Sequence, residues 1–184
     1  MGWRLVITGA PGSGKTECLE RLQNLPQFAD FVFLEELARR MLRANPTYRD
    51  NWADFHVDLY NQQVAREEEL SDRSFISDRG TVDTLAFHPE TLNLVNTDLE
   101  AEYRRYDTVM QLGTTASLGP QYYIRDEIRR EPIEEALVIE EALRKAWISH
   151  PGYMFVAADR DFEAKYVALL HGLQKVLGDR IDWT

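Results

Sequence analysis

The residues with the clearest chemical potential come directly after the first apolar segment. Residues 3–8 predict a short strand, because Leu5, Val6 and Ile7 are consecutive apolar residues. The pattern G-x-x-x-x-G-K-[ST] follows at once, as Gly9, Ala10, Pro11, Gly12, Ser13, Gly14, Lys15 and Thr16. Residues 17–23 then show helical spacing. A strand, this loop and a helix are together typical of a site that binds the phosphates of a nucleotide.

Each residue type in this phosphate loop has a physical reason. Glycines permit backbone angles and a close approach that a Cβ would block. The loop N–H groups then point inward around phosphate oxygens, and the first turn of the helix adds unpaired donors. We expect Lys15 to contact the β- and γ-phosphates and the Thr16 hydroxyl to coordinate Mg²⁺. The loop therefore predicts ATP and Mg²⁺ as ligands.

Two further predicted strands end in charged residues. Asp78 and Arg79 follow the third strand, where a carboxylate can hold Mg²⁺ or accept a proton from an attacking hydroxyl. The alternative for Asp78 is a structural role as the cap of the next helix. We expect Arg79 to bind a substrate phosphate or the transferring group. Glu35 and Glu36 end the second strand and cannot both point the same way. Glu36 either contacts the substrate or forms a surface ion pair with Arg39, three residues on.

Residues 113–130 follow the fourth predicted strand and are the longest stretch without clear apolar periodicity. If this stretch is helical around Arg125 and Arg129, the two arginines share a face and can close over phosphates as a lid. Ion pairing with the acidic residues that surround them is the alternative. We take Arg125 as the first candidate for a catalytic arginine in this lid.

The elements that must position these residues alternate regularly. Five short apolar segments are predicted as strands, at 3–8, 31–34, 74–78, 108–112 and 153–157. Longer helices are predicted at 52–70, 132–150 and 161–177. Short apolar strands that alternate with helices imply a mostly parallel five-stranded sheet covered on both faces. We therefore expect a three-layer α/β/α P-loop NTPase fold, in one domain over 1–184 with a lid-like insertion at about 113–131.

Composition narrows the classes of partner. The 184 residues carry a formal net charge of −10, which disfavours nucleic acid as a partner. No apolar run reaches the ~20 residues of a membrane span, and no signal peptide precedes the first strand, so we expect a cytoplasmic protein. The single cysteine, Cys18, excludes an intramolecular disulfide and a cysteine-rich zinc site. The expected partner is a small molecule, and nothing here predicts an oligomeric state.

Three segments together resemble the small AAA-type phosphate-loop family, which includes the nucleoside-kinase domain of the NadR-type NAD-biosynthesis proteins. They are Gly9–Thr16, Glu36-x-x-Arg39 and Phe75-Ile76-Ser77-Asp78-Arg79-Gly80-x-x-Asp83-Thr84-Leu85-Ala86. The resemblance extends over nearly the whole chain and implies an ATP-binding fold similar to nucleoside and nucleotide kinases. Thr16 directly follows Lys15, without the intervening glycine of adenylate kinase, and the Asn-Lys-x-Asp guanine signature is absent from the sequence.

Two functions follow from these observations. The first is a kinase that moves the γ-phosphoryl group of ATP to a nucleoside-like or other hydroxyl acceptor. Lys15, Thr16 and the loop amides would then hold the donor, and Glu36 would contact the acceptor. The second is an ATP-hydrolysing regulatory or binding module without a small-molecule acceptor. An acceptor that becomes phosphorylated separates the two.

Overall fold

The computed structural model describes residues 2–123, 131–178, 181 and 183 of the chain. The strands are β1 (Arg4–Gly9), β2 (Val32–Leu34), β3 (Phe75–Asp78), β4 (Thr108–Leu112) and β5 (Tyr153–Val156). The α-helices in these ranges are α1 (Lys15–Gln23), α2 (Leu37–Ala44), α3 (Trp52–Glu69), α4 (Asp83–Phe87), α5 (Thr91–Leu94), α6 (Leu99–Tyr103), α7 (Ile133–Trp147) and α8 (Phe162–Leu177).

The strands form one sheet in the order β2-β3-β1-β4-β5, and every neighbouring pair is parallel. This confirms the predicted parallel five-stranded sheet. Because β1 lies at the centre, the loop that follows it leaves the sheet between the ends of β3 and β4. Ile7 of β1 pairs with Asp78 of β3, so Asp78 lies beside the strand that leads into the phosphate loop. Ligands of parallel sheets bind at this carboxyl edge.

Helices cover both faces of the sheet, which confirms the three-layer arrangement. On one face Leu5 and Ile7 of β1 pack against Cys18 of α1 and Leu169 of α8. On the other face Val6, which alternates with them along the strand, belongs to a cluster around the fully buried Trp147 of α7. The sheet thus lies in the middle layer, and its carboxyl edge stays open for a site.

The three long predicted helices are present with nearly the expected bounds. α7 begins directly after Pro132, and α8 begins after Asp161, whose carboxylate accepts from the Glu163 N–H at 3.0 Å. Gly178 ends α8 with a φ of 52°. The short helices α4, α5 and α6 were not predicted. Among the residues that the structure describes, no helix has the length and apolar character needed to cross a bilayer.

Candidate functional site

The phosphate loop joins β1 to α1 and adopts the conformation that its glycines allow. Gly12 and Gly14 have φ values of 80° and 74°, in the region where a side chain would be strained. Two carbonyl groups of the loop, those of Pro11 and Gly12, accept hydrogen bonds from residues that follow β4. The Thr114 hydroxyl donates to Pro11 O at 2.5 Å, and the Thr115 N–H donates to Gly12 O at 3.1 Å. These bonds hold the loop with its carbonyl oxygens directed toward the end of β4.

The amide groups of the loop complement this arrangement. Within the described ranges, the N–H groups of Gly12, Gly14, Lys15 and Thr16 donate to no protein acceptor. They belong to the loop and the first turn of α1, where the helix dipole also favours negative charge. The loop therefore presents a set of unpaired backbone donors suited to the oxygen atoms of a phosphate chain.

A buried lysine that the sequence analysis missed fixes the back of the loop. Lys165 of α8 is 3% exposed, and its Nζ donates to Ser13 O and Gly113 O, each at 2.5 Å. Burial lowers the pKa of Lys165 to about 8, and the neighbouring acidic groups, Cys18 first among them, offset only part of this effect. One side chain thereby ties the phosphate loop to the end of β4. A lysine within a helical apolar pattern gave no local signal of this role.

Lys15 and Asp78 meet at the end of β3. The Nζ of Lys15 donates to Asp78 Oδ1, and both residues are buried. Asp78 caps no helix in the described part of the chain, because the next helix, α4, begins five residues later at Asp83. Thr16 follows Lys15 with an exposed side chain. The structure thus places the loop lysine, the strand-end carboxylate and the Thr16 hydroxyl at one end of the site.

Arg79 connects this end of the site to Glu36. Its Nε donates to Glu36 Oε1 at 3.2 Å, and another guanidinium nitrogen lies 3.4 Å from Gly9 O. Arg79 adopts a φ of 74°, a left-handed conformation that is uncommon for a residue with a side chain. The turn after β3 therefore directs the guanidinium toward the phosphate loop.

Glu36 lies among positive charges. Burial alone would raise the pKa of Glu36, but the charges of Arg79, Lys15 and Arg39 outweigh burial and hold this pKa below its usual value. Glu36 also pairs with Arg39 at 3.4 Å, as the three-residue spacing predicted. Glu35 is exposed, whereas the side chain of Glu36 is 20% exposed. The two adjacent carboxylates do diverge, and Glu36 stays ionised in the site.

Asp83 is a second residue that the sequence analysis did not assign to the site. It is 3% exposed, accepts from the Thr8 hydroxyl and from the Gly80 N–H at 2.8 Å, and lies 3.5 Å from Arg79. Burial raises the pKa of Asp83. Its carboxyl group therefore closes the turn that carries Arg79 and braces this turn against β1. Only the tertiary fold brings Thr8 and Asp83 together.

A buried polar cluster supports the same turn from behind. The Tyr106 hydroxyl accepts from the Thr81 N–H at 2.8 Å and donates to Glu67 at 2.8 Å. Glu67 is fully buried and also pairs with Arg105 at 2.7 Å. Every carboxylate oxygen of Glu67 is thus bonded, which is the condition under which a charge can remain in the interior.

A cavity of about 490 Å³ opens beside these groups. Its lining comes from α1, from the end of β2, from α2 and from Asp78. The lining residues are Thr16, Leu19, Glu20, Gln23, Phe33, Leu34, Glu35, Glu36, Arg39, Arg40, Arg43 and Asp78. The cavity therefore extends from the hydroxyl and carboxylate at the phosphate end to an arginine-rich wall on α2.

The described part of the predicted lid lies against the phosphate loop. Residues 115–118 form a short 3₁₀ helix, and Tyr123 is buried with its ring so close to Gly12 that a Cβ there would meet it at 2.6 Å. Arg125 and the rest of the segment up to residue 130 lie outside the described residues. The structure therefore brings together the loop, Asp78, Arg79 and Glu36, and the role of Arg125 stays a prediction.

Comparisons with known proteins agree with this architecture. A family model described as "AAA domain" matches residues 4–165. A solved structure of deoxyadenosine kinase from M. mycoides, with dCMP and a flexible dCDP bound, superposes with a TM-score of 0.62 at 13% identity and covers 93% of this chain and 98% of its own. The same enzyme with bound dATP gives a TM-score of 0.61 at 12% identity, over 94% and 99% of the two chains. No curated protein matches the sequence.

Proposed function

We propose that this chain, which belongs to the AAA domain family, transfers the γ-phosphoryl group of ATP to a hydroxyl group of a small molecule. The single observation that carries the proposal is the cavity of about 490 Å³ that begins at Thr16 and Asp78. Its volume lies within the range of small-molecule sites, roughly 300–1,000 Å³. A protein that only hydrolyses ATP needs room for a water molecule beside the γ-phosphate and no cavity of this size.

The donor half of the proposed site consists of the phosphate loop. The unpaired amides of the loop bind phosphate oxygens, and Lys15 contacts the β- and γ-phosphates. Because Lys15 is bonded to Asp78 in this structure, we expect the arriving phosphates to compete for its ammonium group. Asp78 is then free to hold a metal ion.

The residues present fit Mg²⁺. Thr16 and Asp78 offer two oxygen ligands on the same cavity wall, and Mg²⁺ is usually held by one or two protein oxygens together with substrate phosphates. The described residues contain no group of three or more His, Cys, Asp or Glu side chains placed to hold a metal ion, so the phosphates would supply the remaining ligands. When bound, Mg²⁺ would neutralise charge on the transferring group.

The acceptor half of the proposed site lies toward α2. Glu36, held ionised by its arginine neighbours, accepts a hydrogen bond from the acceptor hydroxyl. Arg79 stabilises the charge that develops on the transferring group, since its guanidinium lies beside Gly9 O of the loop. Three of the carboxylates that line the cavity are the candidates to take the hydroxyl proton: Glu35, Glu36 and Asp78. Arg125 is proposed, from the sequence alone, as a further arginine over the phosphates.

A metabolite panel incubated with Mg²⁺ and ATP tests the proposal. ADP release and the mass of the product are measured together, and at least one hydroxyl compound should gain a phosphoryl group. Lys15→Ala should weaken ATP binding by roughly 2 kcal/mol in calorimetric titration, because it removes a charge-assisted contact. Lys145→Ala is the matched control, since that side chain is 75% exposed and, among the described residues, its one ion pair is with Glu141.

Two results would contradict this proposal. Equal ATP affinity of wild type and Lys15→Ala would remove the loop from the site. ADP release without any phosphorylated product, across a panel that includes nucleosides and sugars, would favour the ATP-hydrolysing module instead.

A further inference from the structure

The α2 wall of the cavity concentrates arginine side chains. Arg39, Arg40 and Arg43 of α2 all line the cavity. Arg66 of α3 lies next to them, and its guanidinium donates twice to the carbonyl oxygen of Glu35, at 3.1 and 3.2 Å. Burial lowers the pKa of Arg66, and the positive charge of Arg40 lowers it further, so these two guanidinium groups are close enough to repel each other. We call these four residues the arginine wall.

Most of this positive charge is not neutralised by contact. Glu36 pairs with Arg39 and Arg79, and Asp78 pairs with Lys15. In contrast, no carboxylate in the described part of the chain lies within 4.0 Å of a nitrogen of Arg40, Arg43 or Arg66.

Two other carboxylates on the lining, Glu20 and Glu35, do not change this result. Both residues belong to the lining, but among the described residues neither side-chain carboxylate lies within 4.0 Å of an arginine nitrogen, and Arg66 contacts Glu35 only through the backbone carbonyl. Within the described ranges, Arg40, Arg43 and Arg66 thus have no ion-pair partner, although the charges of Glu67 and Glu35 act on Arg66 at longer range. Arg40 and Arg43 are exposed at the cavity wall, so water hydrates them, and an anion that entered the cavity would be attracted by the positive charges of the wall.

We infer that the acceptor is itself a phosphomonoester that carries a free hydroxyl group, with its phosphate bound by the arginine wall. This inference rests on the proposed function and names its substrate class. Guanidinium groups match phosphate oxygens with paired N–H donors, and several of them suit a dianion better than a single carboxylate. Arg40 and Arg43, one helical turn apart, share the face of α2 that lines the cavity.

The bonds broken and formed in the proposed transfer are as follows. The bond between the γ-phosphorus and the β–γ bridging oxygen breaks, and a bond forms between that phosphorus and the acceptor hydroxyl oxygen. The hydroxyl proton passes to a cavity carboxylate, and ADP leaves. The phosphate already on the acceptor takes no part in bond making and serves to anchor and orient the molecule.

Paired ligands test the inference by calorimetry. Nucleoside 3′- and 5′-monophosphates and hexose phosphates are titrated beside their dephosphorylated counterparts into protein saturated with Mg²⁺ and a non-hydrolysable ATP analogue. Saturation keeps the phosphate loop from binding the probe. We expect at least one phosphomonoester to bind about tenfold more tightly than its counterpart. Comparison of the nucleoside monophosphates with the hexose phosphates shows which of these two kinds of phosphomonoester the site prefers.

Substitutions connect this preference to the arginine wall. Arg40→Gln combined with Arg43→Gln should abolish the preference for the phosphorylated partner, whereas Arg49→Gln, exposed and outside the cavity lining, should leave it intact. Circular dichroism checks that each variant is folded. Equal binding of phosphorylated and dephosphorylated ligands, a stronger preference for carboxylates, or a preference that survives the double substitution would each overturn the inference.

The outcome also separates this inference from the proposed function. If a neutral hydroxyl compound becomes phosphorylated while no phosphomonoester is preferred, the kinase proposal stands and the inference fails. If phosphomonoesters bind through the arginine wall but no acceptor gains a phosphoryl group, the anion site is supported and the kinase proposal fails.

Discussion

Lys165 should give the folded protein a stability that rises with pH just above neutrality. Its ammonium group is buried, and burial lowers the pKa of Lys165 from 10.5 to about 8. In the unfolded chain the same group keeps its proton up to its ordinary pKa. Between these two values the unfolded state binds more protons than the native state, so raising the pH favours the native state.

The magnitude follows from the distance between the two pKa values. Each pKa unit corresponds to about 1.4 kcal/mol, so the whole interval from about 8 to 10.5 amounts to about 3 kcal/mol. The interval between pH 8 and 9 is the most informative part and contributes about 1 kcal/mol. Above pH 9 the thiol of Cys18 lowers stability as the pH rises. Burial raises the pKa of this thiol to about 11, so between pH 9 and 11 it ionises in the unfolded chain and stays protonated in the native protein.

Urea unfolding at four pH values between 7.5 and 9 measures this effect. The free energy of unfolding of wild type minus that of Lys165→Met should increase by about 1 kcal/mol from pH 8 to pH 9. Lys175 is exposed on the same helix, α8, so the free energy of unfolding of Lys175→Met should change with pH as that of wild type does. If the free energy of unfolding of Lys165→Met also changes with pH as that of wild type does, the pKa of Lys165 is not lowered by burial and the reasoning fails.

Three other outcomes are expected. Asp78→Asn should lower turnover by about tenfold or more while ATP affinity changes less, because Asp78 is assigned to the metal and acceptor rather than to the phosphates; unchanged turnover in a phosphoryl-transfer assay would make Asp78 a structural partner of Lys15. Amide exchange over residues 113–123 should slow when a non-hydrolysable ATP analogue binds, since this segment bonds to the loop carbonyls, and an unchanged exchange pattern by mass spectrometry would contradict the coupling. His56→Phe should lose less stability than wild type as the pH falls from 6.5 to 5. Burial, together with the charge of His88, lowers the pKa of His56 to about 4, so the unfolded state of wild type binds a proton in this range and the native state does not. Urea midpoints that shift equally with pH in the two proteins would exclude this role.

The sheet and its long helices were predictable because their signals are local. Each strand is a short run of apolar residues, and the loop after β1 has a spacing that few other structures share. Caps such as Asp161 and Gly178 mark the ends of α8 in the sequence itself. In contrast, α4, α5 and α6 have only four or five residues each, too few to show a helical period. Their existence depends on packing against neighbours.

The site was predictable only in part, for a related reason. Residues of the loop and at strand ends could be named because a parallel sheet brings strand ends to one edge. The partners of these residues come from distant positions: Lys165 lies 152 residues from Ser13, and Asp83 lies 75 residues from Thr8. No periodicity links such pairs. The sequence around Lys165 gives no sign of this contact, because an exposed lysine on an amphipathic helix shows the same pattern.

The central position of β1 also determines the order in which the molecule can fold during synthesis. Residues of β1 pair only with strands made later, Arg4 with Phe75 and Leu5 with Thr108, so the ribosome adds about a hundred residues, over roughly 5 to 20 s, before the strand is paired on both sides. The carbonyl oxygen of Ser13 can accept its hydrogen bond from Lys165 only after that residue has also been synthesised. The phosphate loop thus emerges early and is completed late, and a nascent chain arrested before β4 should not be retained on an ATP resin.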